Sequence, residues 1–228
     1  ERAVGPANLT SVRDVGVLGE QSFVFGEGKN APTIVLSGGA FNGNADPLGD
    51  FDPGLLYGGR LEFQRGDTYR TWDPEGGVAV GAGVSGLINR ELATSTSAIS
   101  GDLFLRLGPW SLVGEMGRAV IRPTDVTEGA PTVLEDTTRL SWSAQTSVFI
   151  GFRDEQGVEV AVRASSFDDN LRLSDNGDVL ILHGGAIWRS VLPQLDLGAG
   201  FIHREELGGV KLPNDTIRIW TQIRPRRR

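Results

Sequence analysis

The chain has 228 residues, with 22 basic and 29 acidic side chains, a formal net charge of −7, 32 glycines and no cysteine. With 39% hydrophobic and 22% charged residues it is too apolar to be disordered, and the absence of cysteine excludes disulfide scaffolds, cysteine-bound metals and thiol catalysis. The acidic balance argues against nucleic-acid binding, which needs a basic surface, and no apolar run reaches the length of a transmembrane helix.

Polar and apolar residues alternate with a period of two along most of the chain, which is the pattern of β-strands with two unlike faces. Between Arg139 and Val148, for example, the odd positions are polar and the even positions are mostly apolar. The pattern predicts eleven strands, most of them with the roughly 9–11 residues that a tilted strand needs to cross a bilayer. In chain order they cover residues 12–24, 32–42, 55–65, 77–87, 98–107, 110–121, 138–151, 157–168, 179–190, 194–204 and 215–224.

The predicted connections alternate between short turns and long loops. Short turns lie at 108–109, 153–157 and 193–194. Long loops rich in Asp, Gly, Pro, Asn and Thr lie at 43–54, 89–98, 123–137, 167–178 and 206–214. One connection on the side of the short turns, 66–76, is longer than the others. This alternation in an up-and-down meander is typical of outer-membrane barrels.

Alternation alone leaves open which face of the strands meets water. The apolar face points inward in a soluble sandwich and outward into lipid in a membrane barrel. Long strands, charged residues in mid-strand and aromatic residues near the strand ends favour the membrane barrel. The aromatic residues predicted for such an interfacial girdle are Trp110, Trp142, Phe149, Phe152, Trp188 and Phe201. A secreted β-sandwich that serves as a binding module is the alternative.

The polar face of the predicted strands carries the charges that would line a lumen. Alternation places seven arginines there: Arg60, Arg106, Arg139, Arg163, Arg189, Arg204 and Arg218. It places five acids there: Glu62, Asp102, Glu115, Glu159 and Asp196. The surplus of two positive charges predicts a slightly cationic wall, and arginine both favours anions in pores and binds oxyanions through its planar fork. The alternative is that these arginines pair with neighbouring carboxylates and hold the wall together.

Several short segments occur in the order and spacing of motifs in a known family. They are R-D-V-G-V at 13–17, G-A-F-N-G at 39–43, G-P-W-S-L at 108–112, G-V-E-V-A-V-R-A-S at 157–165, A-I-W-R at 186–189, and Arg218 with Gln222. Through these segments the chain resembles the phosphate-selective porin family of Gram-negative outer membranes over nearly its whole length. The resemblance implies a 16-stranded transmembrane β-barrel, passive diffusion of anions such as phosphate, homotrimers and no cofactor.

Eleven is an odd number of strands, whereas bacterial single-chain barrels have even numbers. We therefore expect residues 1–228 to be a single barrel domain that lacks N-terminal strands. About five more strands would give the 16-stranded porin size. As a C-terminal fragment, the chain would expose two unpaired strand edges. Its expected location is the outer membrane, its expected partners are membrane lipid and small anionic solutes, and nucleic acid is not among them.

Other chemistry receives less support from the sequence. The loop aspartates supply the oxygen ligands that Ca²⁺ prefers, but their spacing is not that of an EF-hand, so we predict solvated loops and no metal site. These aspartates are Asp50, Asp52, Asp168, Asp169, Asp175 and Asp178. His183 and Ser165 could meet on adjacent strands, yet no G-x-S-x-G elbow is present, so we predict no enzyme. A non-conducting barrel that acts as a structural or export anchor is the remaining alternative.

Overall fold

The computed structural model describes ten segments of the chain. They are residues 16–28, 30–42, 55–68, 77–90, 94–123, 135–153, 156–175, 177–192, 195–211 and 214–223. Within these segments no helix is long and apolar enough to cross a membrane.

The described residues form eleven β-strands in a single sheet. The strands are β1 (Gly16–Val24), β2 (Thr33–Phe41), β3 (Leu56–Arg65), β4 (Val78–Arg90), β5 (Thr94–Leu107), β6 (Trp110–Pro123), β7 (Thr137–Arg153), β8 (Gln156–Asp168), β9 (Val179–Leu192), β10 (Leu195–Glu206) and β11 (Asn214–Ile223). Their order in the sheet follows the chain, and each pairs antiparallel with the next. The predicted all-β, up-and-down arrangement of eleven strands is therefore confirmed. Residues 12–15 and 224, at the ends of the first and last predicted strands, lie outside the described residues.

The largest disagreement in strand boundaries lies between β4 and β5. The predicted long loop at 89–98 is wrong, because β4 continues to Arg90 and β5 already begins at Thr94. The ladder between the two strands extends to the pairing of Arg90 with Ser95. Residues 94–97 alternate threonine with serine, and these residues suit a loop as well as the end of a strand. The loops on this side of the sheet are therefore not uniformly long.

The two faces of the sheet differ in polarity, and the more polar face is the more buried one. Residues paired directly across antiparallel strands project to the same face, and we call the face that contains Ser111 and Ser147 the polar face and the other the apolar face. Ser111 and Ser147 are 1% and 2% exposed, whereas Ile99 and Val162 on the apolar face are 60% and 54% exposed. The sheet therefore buries its polar face and exposes its apolar one, which is the reverse of a soluble sandwich.

The few buried hydrophobic side chains of the described residues also lie on the polar face. They are Ala79, Ala119, Phe149 and Val179. The assignment of Phe149 to the exposed aromatic girdle is therefore wrong. A Cβ at Gly157, on the neighbouring strand, would overlap the Phe149 ring, so the missing side chain of Gly157 makes room for it.

The other aromatic residues predicted for the girdle do not share this burial. Trp142, Trp188 and Phe201 lie on the apolar face and are 37%, 47% and 47% exposed. Phe152 near the end of β7 is 57% exposed, and Trp110 at the start of β6 is half-buried. The apolar face thus presents large aromatic side chains outward, but Trp142 and Phe201 lie within their strands and not near the strand ends where the girdle was predicted.

The strands β1 and β11 are the two ends of the sheet order. Every residue of β1 is exposed, and β11 is exposed throughout except at Trp220. In the described part of the chain, each of these strands pairs with one neighbour only. Their outer edges therefore present backbone groups that are able to pair with another strand.

Candidate functional site

All seven arginines predicted to share a face do share it. The cross-strand pairings of Arg60 with Ser85, Arg106 with Ser111 and Arg163 with Gln145 connect them through the ladder. Arg139, Arg189, Arg204 and Arg218 occupy the same face, opposite Ala119, Gly157, Asn214 and Gly200 respectively. The candidate site is therefore the polar face of the sheet.

The charge of that face differs from the prediction. The five predicted acids lie on it, but Glu20 opposite Ser37 and Glu206 opposite Val179 lie there as well. Within the described strands the polar face therefore carries seven arginines and seven acids, and the predicted surplus of two positive charges is wrong. Glu20 was missed because β1 alternates weakly, and Glu206 because β10 runs two residues further than predicted. Any preference for anions must therefore come from local geometry.

Arg60 forms the first of two ionic clusters on the polar face. Its Nη1 donates to Asp102 Oδ2 at 2.6 Å and its Nη2 to Asp102 Oδ1 at 3.0 Å. Its Nε donates to Glu62 at 2.8 Å, and Nη1 also contacts the Ser85 hydroxyl at 3.1 Å. Arg60 reaches from β3 to β5 across Gly83 of β4, where a Cβ would overlap the guanidinium. This cluster joins three strands and neutralises Arg60.

Arg189 forms the second ionic cluster, which is more deeply buried. Its guanidinium pairs with Glu159 through Nη2 and with Asp196 Oδ2 through Nη1, the latter at 3.3 Å. Glu159 and Asp196 are 5% and 1% exposed. The Ser147 hydroxyl donates to Glu159 Oε1 at 3.0 Å, which extends the network to β7. The cluster therefore fastens β7 to β10 across the polar face.

Two further arginines also have partners in the sheet or its connections. Arg106 is 2% exposed and donates from Nη1 to the backbone carbonyl of Asp67 at 2.8 Å. Arg204 Nη2 lies 4.0 Å from Glu206 Oε1. Arg60 and Arg189 thus pair with carboxylates of neighbouring strands, as the alternative interpretation of the sequence predicted, whereas Arg106 bonds to a backbone carbonyl and Arg204 approaches a carboxylate of its own strand.

Arg139 and Arg163 differ from Arg60, Arg189 and Arg204 because no described carboxylate forms an ion pair with either. The Nε of Arg139 is buried and has no hydrogen-bond partner among the described residues. Arg163 is half-buried in mid-strand, in a row with Gln145 on one side and His183 on the other. Arg163 is therefore the central guanidinium best able to contact a solute.

A pocket of about 270 Å³ opens on the polar face beside Arg163. Its polar lining comes from Gln145, Glu159, Arg163, His183 and Arg189, and Trp220 supplies an aromatic wall. Ala161 and Gly185, which pair across β8 and β9, also line the pocket, and their small side chains leave its space open. The pocket therefore combines a guanidinium, an imidazole and an amide around a space that a small solute can enter.

Trp220 lines this pocket and was missed in the sequence analysis, as were two glycines of β10 that leave room for Trp220 and His183. A Cβ at Gly198 would overlap the Trp220 ring, and a Cβ at Gly200 would lie 2.9 Å from His183 Nε2. The side chains of β9 and β11 thus lean over the bare backbone of β10. The sequence does contain an indication of this packing, since Gly198 and Gly200 are alternate residues on one face of a strand and leave that face without side chains at these positions. His183 itself lies opposite Arg163, while Ser165 faces Ile181.

Comparisons with known proteins leave the function to be argued from this geometry. No model of a known protein family matches the chain, and no curated protein or solved structure matches it either. The resemblance to phosphate-selective porins therefore stays a prediction that depends on the short segments described above.

Proposed function

We propose that this chain forms the wall of a β-barrel pore in a bacterial outer membrane, through which small anions diffuse passively. The observation that carries the proposal is the inverted polarity of the sheet. Apolar surface gains about 25 cal/mol per Å² when it leaves water, so a face that presents Ile99, Met116 and Val162 outward is favoured in lipid and disfavoured in water. A soluble binding module would have no reason to expose this face and bury serines and arginines.

The topology supports closure into a barrel. A sheet in which every strand pairs antiparallel with its chain neighbour is the arrangement that up-and-down barrels use. Closure removes free edges, and it requires β1 and β11 to pair with each other or with additional strands. The resemblance to porins favours additional strands, to a total of about 16.

Arg163 is the residue proposed to contact the permeating anion. The polar face is balanced in charge, so a general field does not select anions, whereas a guanidinium without a carboxylate partner can bind an oxyanion in two-point contact. His183 and Gln145 on either side of Arg163 add hydrogen-bonding groups. The choice of phosphate among possible anions comes from the family resemblance alone.

A non-conducting anchor in the same membrane is the second candidate. The ionic clusters of Arg60 and Arg189 favour this candidate, because their charged groups bind one another across the strands and not a solute. Conductance separates the two candidates, because both would insert into a bilayer and only a pore would pass current.

The test is a planar-bilayer recording of the chain as expressed from its complete gene, with a KCl gradient and then added phosphate. We expect anion-selective current and partial block by phosphate, and we expect Arg163→Ala to shift the reversal potential toward cation selectivity. The matched control is Arg118→Ala, which removes the same charge from the exposed apolar face between Ile99 and Leu140. Equal shifts in both variants would refute the role of Arg163. Insertion without current would favour the anchor, and a protein soluble without detergent would favour the secreted sandwich.

A further inference from the structure

We propose that Asp168, Asp169 and Asp178 form a binding site for a divalent cation, best suited to Ca²⁺, where β8 leads into β9. The site lies in the connection at the end of these strands, away from the pocket beside Arg163, and it does not depend on the pore proposal.

The three carboxylates converge although they are separated in sequence. One oxygen from each of Asp168, Asp169 and Asp178 lies within 4.8 Å of the others. The backbone N–H of Asn170 donates to Asp168 Oδ1 at 3.0 Å and fixes that side chain. A Cβ at Gly177 would overlap the Asp169 carboxylate, so the glycine leaves space for it. The backbone therefore holds three acidic groups at one point.

The strongest indication of a ligand is the environment of Asp178. This residue is 7% exposed, and its Oδ1 is buried with no hydrogen-bond partner among the described residues. A buried carboxylate oxygen without a donor is costly. Its carboxylate is directed into the cluster, where a cation would supply the missing interaction. A proton shared with Asp168 is the competing way to satisfy it.

The basic side chains that the structure describes do not neutralise the cluster. None of the three aspartates forms an ion pair with a basic residue in the described part of the chain. Arg172, in the same connection, pairs instead with Glu135 at 3.0 Å. Three carboxylates thus approach one another without a compensating charge from any described residue, which is the arrangement that hard cations stabilise.

The neighbouring loop helps to bury the site. The backbone N–H of Leu207 donates to the carbonyl of Asp178 at 2.8 Å. A Cβ at Gly208 would lie 2.6 Å from the backbone nitrogen of Asp175, so the connection after β10 packs closely on the connection after β8. A cation bound here would join the two connections to the end of the sheet.

Ca²⁺ fits the donor set better than Mg²⁺. It accepts 6–8 oxygen ligands in flexible geometry, including bidentate carboxylates, backbone carbonyls and water, whereas Mg²⁺ demands a near-ideal octahedron. Three carboxylates without the full ligand set of an EF-hand suggest the affinity of extracellular modules, with a dissociation constant of about 10⁻⁴–10⁻³ M.

Terbium luminescence provides the test, because Trp142 is suitably placed to sensitise a lanthanide. Trp142 pairs with Ser166, two residues before Asp168 on the same face, and such diagonal neighbours lie roughly 7–8 Å apart. We expect the folded full chain to enhance Tb³⁺ emission on excitation of tryptophan. We expect CaCl₂ to displace the Tb³⁺ at about 0.1–1 mM, and MgCl₂ at least tenfold less effectively.

Variants decide whether the signal comes from this cluster. Asp178→Asn should weaken Ca²⁺ binding at least tenfold, while the matched control Glu27→Gln, an exposed carboxylate between β1 and β2, should leave it unchanged. If Asp178→Asn does not fold, Gly177→Ala provides the second test, since its new methyl group would displace the Asp169 carboxylate. Absence of Ca²⁺-sensitive emission from the wild-type chain would overturn the proposal. The same conclusion would follow from equal Ca²⁺ affinity in the wild type and in a folded Asp178→Asn or Gly177→Ala variant.

Discussion

Gly83 allows Arg60 to cross β4 and reach Asp102, so substituting this glycine tests the crossing directly. A methyl group at position 83 would overlap the guanidinium of Arg60 and force it away. Gly86 lies on the same strand but on the apolar face, where a Cβ meets only the carbonyl of Ala98 at 3.8 Å. Gly83→Ala and Gly86→Ala therefore add the same group to the same strand and differ in what that group contacts.

The expected loss of stability in Gly83→Ala follows from how exposed the ion pair between Arg60 and Asp102 is. The Arg60 and Asp102 side chains are 31% and 36% exposed, so this ion pair is neither fully exposed nor fully buried. Exposed ion pairs contribute about 0.2–1 kcal/mol to stability, and disrupting a buried one costs about 3–5 kcal/mol. After allowing for solvent screening, loss of the two-point contact should cost about 2 kcal/mol. Replacing glycine by alanine in a strand returns about 0.5–1 kcal/mol. Gly83→Ala should therefore lower the free energy of unfolding by about 1 kcal/mol, whereas Gly86→Ala should raise it by about 0.5–1 kcal/mol.

The assay is urea unfolding of the full chain, followed by tryptophan fluorescence, in whichever of detergent or buffer keeps it folded. A double-mutant cycle with Arg60→Ala isolates the energetic coupling between position 83 and the Arg60 side chain. In that background the guanidinium is gone, so Gly83→Ala should become stabilising like Gly86→Ala. If Gly83→Ala stabilises the protein even when Arg60 is present, the proposed crossing over β4 is incorrect.

Three further substitutions test other features of the sheet. Val162→Arg places a charge in the middle of the apolar face and should destabilise the chain in lipid vesicles by about 2–4 kcal/mol, whereas a near-neutral effect on vesicle insertion would speak against a lipid-facing surface. Arg189→Leu leaves two buried carboxylates without a partner and should lower the free energy of unfolding by about 3–5 kcal/mol in chemical denaturation, and a loss below about 1 kcal/mol would contradict the burial of this cluster. Gly198→Ala should displace the ring of Trp220 at a cost of about 1–3 kcal/mol and change its fluorescence emission, and an unchanged emission spectrum would show that the ring does not lie over β10.

The sequence predicted the strands and their faces well because both depend on local alternation. In an antiparallel meander each strand pairs with its chain neighbour, so the parity of a residue within its own strand is enough to choose its face. This is why Arg139 and Arg163 could be assigned to one face without knowledge of the register. The alternation failed at residues 89–98, where small polar residues satisfy both a loop and a strand.

The contacts on the polar face could not be predicted in the same way. The pairing of Arg60 with Asp102 joins residues that are 42 positions apart and lie on strands that are not adjacent. It depends on register and on the absence of a side chain at Gly83, and neither appears in a pattern of polar and apolar letters. The same holds for Phe149 over Gly157 and for Trp220 over Gly198. Glycines on the polar face are thus determinants of packing rather than neutral positions.

The convergence of the aspartates was also beyond the sequence. Asp168 and Asp178 are the residues that flank the connection between β8 and β9, and only the pairing of these strands brings them together. Their spacing of ten residues matches no metal-binding motif.

The inverted burial of the sheet has a calorimetric consequence. In an ordinary domain, unfolding transfers apolar surface to water and raises the heat capacity by about 12–15 cal/mol/K per residue. Here the surface concealed by folding is largely hydroxyl, guanidinium and carboxylate, and hydration of such groups lowers the heat capacity. In the proposed membrane barrel the apolar face stays covered by lipid or detergent, and the unfolding chain should then show a small heat-capacity change. Its stability curve would then be nearly straight with temperature, and cold denaturation, which requires strong curvature, would be absent from this protein.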